Sequence, residues 1–137
     1  MRQIPRGEIR NHIASGAERL DHLAGFLEKL PAGSLTLAQW YGYGTGCAVG
    51  LAVRLDPWFS AQGLRLEGAG NLKDCRPVFA GREGWEAVAA FFGLTVDTAT
   101  TLFGRAAYGG DVRPHPRLMA RRVRQYLVHA TDVVLAA

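Results

Sequence analysis

The residues with the clearest chemical potential lie in Gly42-Tyr43-Gly44-Thr45-Gly46-Cys47-Ala48-Val49-Gly50, where spaced glycines run into a cysteine and then an apolar, helix-like segment. A thiol in the first turn of a helix, beside flexible backbone N–H groups, sits where a thiolate or a bound anion is stabilised. Nucleophilic use of Cys47, in a hydrolase or transferase, also requires a base. The candidates are His115, held between two prolines, and His129, three residues before Asp132. Against this stands the neighbourhood of Cys47: small residues beside glycine and alanine are the usual setting of a packed, inert cysteine. The glycine run is also a poor phosphate loop. It lacks the lysine and hydroxyl ending of a P-loop, and its G-x-G-x-x-x-G spacing misses the dinucleotide fingerprint. The simpler reading is that these glycines permit a tight turn and let the following helix approach its neighbours.

A second pattern is cationic. Arg113, Arg117, Arg121 and Arg124 recur at three- to four-residue steps near the C-terminal end, with Arg122 beside them, and Arg2, Arg6 and Arg10 repeat the theme. On a helix this spacing makes a basic stripe, suited to an acidic protein or to nucleic acid and sensitive to salt. The net charge of +4 and the pI near 9.5 rest almost wholly on arginine, with only Lys29 and Lys73 as lysines. A GC-rich genome gives the same bias, so charge alone does not choose a partner.

A third pattern is the pair of short helical segments on either side of Gly93. Ala89, Gly93 and Ala99 have the small, glycine and apolar spacing of a helix-turn-helix. The second segment, however, offers Asp97 and threonines, and the first arginine able to contact a base edge is Arg105. Phe91 and Phe92 just ahead of the glycine point instead to core packing.

These groups must be held by a framework, and periodicity predicts it. Ile9, Ile13, Ala17, Leu20, Ala24, Leu27 and Leu30 form one apolar stripe on a helix from Gly7 to Leu30, with Glu8, Glu18, Arg19, Asp21, His22, Glu28 and Lys29 opposite. Cys47 to Leu55 reads as a short helix ended by Asp56-Pro57, and Pro57 to Gln62 as another. Leu64 to Glu67 and Arg76 to Phe79 alternate like two strands of an antiparallel hairpin. Helices follow from Trp85 to Phe92 and, with Thr95 as N-cap, from Val96 to Phe103. A polar connection then leads to a long terminal helix marked by Leu118, Val123, Ala130 and Val134.

At 137 residues and 48% hydrophobic content, one globular domain over 1–137 is expected. No apolar run approaches a membrane span, and the N-terminus lacks the apolar stretch of a secretion signal, so a cytoplasmic protein without membrane contact is the expectation. Two cysteines make a disulfide scaffold unlikely in the sense of framework arithmetic. They also leave any four-ligand zinc site to borrow from scattered histidines, so neither metal nor cofactor is expected.

The order Gly42 to Ala52, Pro57-Trp58-Phe59, Gly63-Leu64-Arg65-Leu66, Pro77-Val78-Phe79, Gly84-Trp85-Glu86-Ala87, Phe91-Phe92-Gly93-Leu94 and Leu102-Phe103 resembles a group of small bacterial and phage proteins of unassigned activity. Their core reads C-G-T-x-x-C-x-x-G-x-A, followed by G-L-x-L and A-x-F-F-G-L. The resemblance covers roughly Leu20 to Tyr108. Gly42 stands where the pattern has its first cysteine, so the paired thiols are missing from this stretch. The resemblance implies a bacterial or prophage origin and close-packing roles for Gly50 and Ala52.

The expected fold is therefore α+β and mainly helical, with five or six helices around a small two-stranded antiparallel hairpin. The expected function is non-enzymatic, a binding or accessory module meeting an acidic partner through Arg6, Arg10, Arg113, Arg117, Arg121 and Arg124. A helix-turn-helix regulator and a Cys47-dependent enzyme are the alternatives. Self-association through Trp40, Tyr41, Tyr43 and Trp58 is left open.

Overall fold

The computed structural model describes residues 13–42, 44–68 and 75–136, with side chains described as far as Ala130. Within these residues the chain is α+β and mainly helical. In order it forms α1 (Gly16–Glu28), β1 (Tyr41–Gly42), β2 (Thr45–Gly46), α2 (Ala48–Leu55), α3 (Pro57–Ala61), β3 (Arg65–Glu67), β4 (Arg76–Phe79), β5 (Arg82–Glu83), α4 (Trp85–Phe92), α5 (Val96–Phe103), a 3-10 turn (Arg105–Tyr108) and α6 (Pro116–Ala136).

Local chemistry explains most boundaries. Ser15 starts α1 with a capping box: its hydroxyl accepts from the Glu18 amide at 3.1 Å, and the Glu18 carboxylate accepts from the Ser15 amide at 2.7 Å. The helix thus begins nine residues later than the Gly7 of the periodic reading, of which residues 7–12 lie outside the described residues. Asp56 caps α3 by accepting from the Trp58 amide at 3.0 Å, with Pro57 in the first helical position. Thr95 caps α5 through the Thr98 amide at 3.1 Å.

The apolar stripe of α1 is rotated from the predicted one. Leu20, Ala24 and Leu27 are buried as expected, but Leu23 joins them, while Ile13 is 78% exposed and Ala17 also faces out. Arg19, assigned to the polar face, is 7% exposed. It lies inside because Phe91 and Phe79 offer ring faces to its guanidinium and because Phe91 O and Gln62 Oε1 accept its protons.

The expected antiparallel hairpin forms and is extended by a further strand. β3 and β4 do pair antiparallel, with Arg65 opposite Val78 and Glu67 opposite Arg76. β4 then turns through Ala80-Gly81 into β5, giving a three-stranded sheet, and β1–β2 form a separate two-stranded ribbon. Both turn residues have positive φ, 53° at Ala80 and 79° at Gly81, as a two-residue hairpin of right-handed twist demands.

The core joins these parts. Leu20, Leu23 and Leu27 of α1 and Met119, Ala120 and Val123 of α6 meet Leu51, Phe59, Phe91, Phe92 and Phe103. Phe91 is central to its rings, edge-on to Phe79 at 5.1 Å and to Phe92 at 4.9 Å, with Phe59 at 6.1 Å. Offset and edge-on aromatic pairs add about 1 kcal/mol each beyond the area they bury.

α2 is held in place by one backbone oxygen. A side chain at Gly50 would put its Cβ 1.8 Å from Trp40 O, and one at Gly46 would put it 2.3 Å from the same atom. The glycine run serves this close approach, in keeping with the packing role read for Gly50, and Ala52 is fully buried beside it. Trp40, Tyr41 and Trp58 are half-buried and packed against the core, and Tyr43 lies outside the described residues. Among the described residues, no single helix is long and apolar enough to cross a membrane.

Candidate functional site

Cys47 is where the sequence places it, as the N-cap of α2, with its Sγ accepting from the Gly50 amide at 3.5 Å. The expected activation does not follow. Only 5% of the residue is exposed, and burial pushes the thiol up to about 12, outweighing the amides of Gly50 and Val49 that favour the thiolate. A thiol rather than a thiolate stands at this position near neutral pH.

Neither histidine comes to it. The cavity that Cys47 lines is walled by Gln39, Trp40, Cys75, Arg76, Trp85 and Phe103 among others, with no imidazole. His115 instead serves the start of α6: its Nδ1 accepts from the Arg117 amide at 3.1 Å, and its carbonyl accepts from the Leu118 amide at 3.0 Å. His129 is exposed on α6. What does approach Cys47 is Cys75, which enters from the start of β4 and lines the same cavity. Burial raises its thiol pKa, against the Tyr41 amide and the positive charges of Arg54 and Arg76. Among the described residues, no three histidine, cysteine or acidic side chains gather as a metal site would require.

The arginines separate into three groups. Arg124 turns toward α1 and is neutralised there: its Nε and Nη2 meet the two carboxylate oxygens of Glu28 at 2.7 and 3.0 Å, and its Nη1 meets Asp21 at 2.8 Å. The fork raises the Arg124 pKa further and holds Glu28 below the usual carboxylate range. Arg122 faces the other way, donating to Ala107 O at 2.5 Å and Thr101 O at 3.4 Å, with its guanidinium over the Tyr108 ring.

Arg117 and Arg121 remain. Both are exposed, and neither forms an ion pair among the described residues. They line a groove of about 620 Å³ with Arg124, Gln125, Val128 and His129, and Glu28 forms part of its wall. Arg113 is exposed in the loop before α6 rather than on the stripe. Arg6 and Arg10 lie outside the described residues.

The segments on either side of Gly93 meet at 98°, an angle within the helix-turn-helix range. Their chemistry is inward. Ala87, Val88, Phe91 and Phe92 of α4 and Ala99, Leu102 and Phe103 of α5 are buried. The hydroxyls on α5 bond locally: Thr100 donates to Val96 O and Asp97 O, Thr101 donates to Asp97 O, and Thr98 accepts from the capping Thr95 hydroxyl. A base edge would meet Asp97 and methyl groups.

One cluster has no sequence signal. The His22 imidazole stacks on the Trp58 indole at 3.9 Å and 10°, and its Nε2 lies 2.9 Å from Asp56 Oδ2. His22 reads as an ordinary polar-face residue and Asp56 as a helix stop, so only the packing of α1 on α3 reveals the pair. The chain matches no family model, no curated protein and no solved structure.

Proposed function

We propose that the protein is a non-enzymatic binding module whose α6 face docks an acidic segment of a partner protein. The observation that carries this reading is the contrast within the arginine stripe. Arg124 is spent on Glu28 and Asp21, whereas Arg117 and Arg121 stand exposed along one groove with their charge unmatched among the described residues. Such a pair gains charge-assisted hydrogen bonds to carboxylates without first breaking an ion pair of its own.

Two further features favour a protein over a nucleic acid. Val128 is 62% exposed and adds an apolar contact to the groove, which a peptide side chain can use. Glu28, paired with Arg124 in the groove wall, interrupts the line of free cations that a continuous run of phosphates would need. Arg113 extends the positive surface toward the foot of α6.

The test is a titration of a labelled peptide carrying spaced glutamates and one leucine, beside arbitrary duplex DNA, at several salt concentrations. Peptide binding that weakens with salt and is lost in Arg117→Glu/Arg121→Glu supports the reading. Unchanged peptide binding in that double variant, or tighter binding of the duplex, overturns it.

A DNA-binding regulator is the second reading, favoured by the 98° meeting of the segments around Gly93. Salt-resistant preference for one duplex sequence would be its mark.

A further inference from the structure

On the side of the molecule lined by α5 and the 3-10 turn, a cavity of about 600 Å³ carries Thr100, Thr101, Arg105 and Arg122 on its walls. A second, of about 450 Å³, reaches inward past Trp40 and Arg76 to the two thiols. Leu37, Ala38, Trp85 and Gly104 line both, so the two adjoin along one trough. Each part alone has the size of a small-molecule site.

The chemistry of the trough is one-sided. Arg76, Arg105 and Arg122 line it, and among the described residues no carboxylate does. Arg76 is already matched, by Glu83 at 2.5 Å and Glu67 at 3.5 Å. Arg122 is fixed by carbonyl oxygens and the Tyr108 ring, none of which cancels its charge, and its bonds to Ala107 O and Thr101 O leave part of its five-donor fork unspent. Arg105 is exposed and forms no ion pair among the described residues. The inner part mixes aromatic and polar groups: Trp40 and Trp85 lie 5.1 Å apart at 56°, and Leu37, Phe103, Gln39 and Arg76 share its walls.

Its rim is also prebuilt. The Tyr108 hydroxyl donates to Leu102 O at 2.7 Å and Arg122 donates to Ala107 O, which ties the 3-10 turn to both α5 and α6. A charge placed here meets an Arg122 guanidinium already fixed in place, with the exposed Arg105 able to swing onto it, beside low-dielectric walls that strengthen the interaction.

From two uncompensated guanidiniums at the mouth and a tryptophan wall behind them, we propose that this trough binds a small anion with a flat apolar body, of the aryl carboxylate or aryl sulfonate class. The anionic group pairs with Arg105 and Arg122, and the ring lies along Trp85. Arg117 and Arg121 take no part, so the site is independent of the α6 groove.

The experiment uses anilinonaphthalene sulfonate as probe and the full chain carrying Trp58→Phe, which leaves Trp40 and Trp85 as the only tryptophans. Energy transfer from these indoles to the probe should saturate. Arg105→Glu should weaken the probe at least about tenfold while Arg105→Lys retains most of the affinity. Phenylnaphthylamine, which has the same rings without the sulfonate, should also bind at least about tenfold more weakly. Arg105 is exposed, so its variants keep the fold, and circular dichroism verifies this. Equal affinity for the charged and neutral probes, or an unchanged affinity in Arg105→Glu, overturns the proposal.

Discussion

The Arg19 guanidinium lies 4.2 Å over the Phe91 ring and donates at 2.9 Å to the carbonyl of that same residue. One side chain of α1 therefore grips both the ring and the backbone of α4. Burial lowers the Arg19 pKa by desolvation, yet guanidinium stays charged in proteins, so the cation is held by the ring faces and by Gln62. Arg19→Met keeps much of the stem but removes the donor to Phe91 O, while Gln62 Oε1 keeps the Ala14 amide. We expect a loss of about 1–3 kcal/mol in denaturant unfolding. An unchanged midpoint would show that the grip adds nothing.

Gly50→Ala should be among the most damaging single-methyl changes in the chain. The new Cβ falls 1.8 Å from Trp40 O, a backbone atom that cannot swing aside as a side chain would. Relief requires moving α2, at a cost of about 3 kcal/mol or more. Thermal melting against Ala52→Gly, which removes a methyl at a fully buried neighbour, separates overpacking from loss of contact.

The turn between β4 and β5 offers the opposite sign. Ala80 has φ 53°, a conformation that asparagine and glycine adopt at less cost than alanine. Ala80→Asn should stabilise by about 0.5–1 kcal/mol, read as a rise in the unfolding midpoint without a change in slope.

Cys47 makes the alkaline limb of stability steep. Its folded pKa of about 12 lies above the value of 9.0 for a free thiol. Between these limits the unfolded chain has released a proton that the folded chain retains. Stability is thus full below about pH 9 and falls as pH rises toward 12, by up to about 1.4 kcal/mol per pH unit for this group. Cys47→Ala should flatten that slope, and iodoacetamide should label Cys47 far more slowly in the native than in the unfolded protein. Equal labelling rates would place the thiol in water.

Charge reversal divides the arginine stripe. Arg124→Gln should lower the melting temperature slightly, by an amount that added salt removes, and should also weaken the acidic peptide, because Glu28 and Asp21 lose their cation beside the groove. Arg121→Glu should weaken the peptide while leaving the melting temperature nearly unchanged.

The sequence makes the helices legible wherever a cap and a periodic face agree, as with Thr95 before Val96 and Pro57 after Asp56. It misplaces the start of α1 because Ser15 and Glu18 close a capping box inside a stretch whose apolar spacing continues upstream. It misses β5 because Ala80-Gly81 is not a customary turn pair. Spacing found Arg117, Arg121 and Arg124 together, but only tertiary contact reveals that Asp21 and Glu28 claim the last of them. The same holds for Cys47, whose position at a helix start is local while the burial that quiets it is contributed by distant segments.

The oxygen of Trp40 has a consequence for how this chain can diverge. Two positions four residues apart answer to a single atom that no codon encodes, since every amino acid at position 40 supplies the same carbonyl. Replacing the indole costs its packing against Trp85, whereas a side chain at either glycine collides with backbone. A saturation library scored for folding should therefore show columns 46 and 50 nearly empty beside a more permissive column 40, a signature that side-chain identity alone would never suggest.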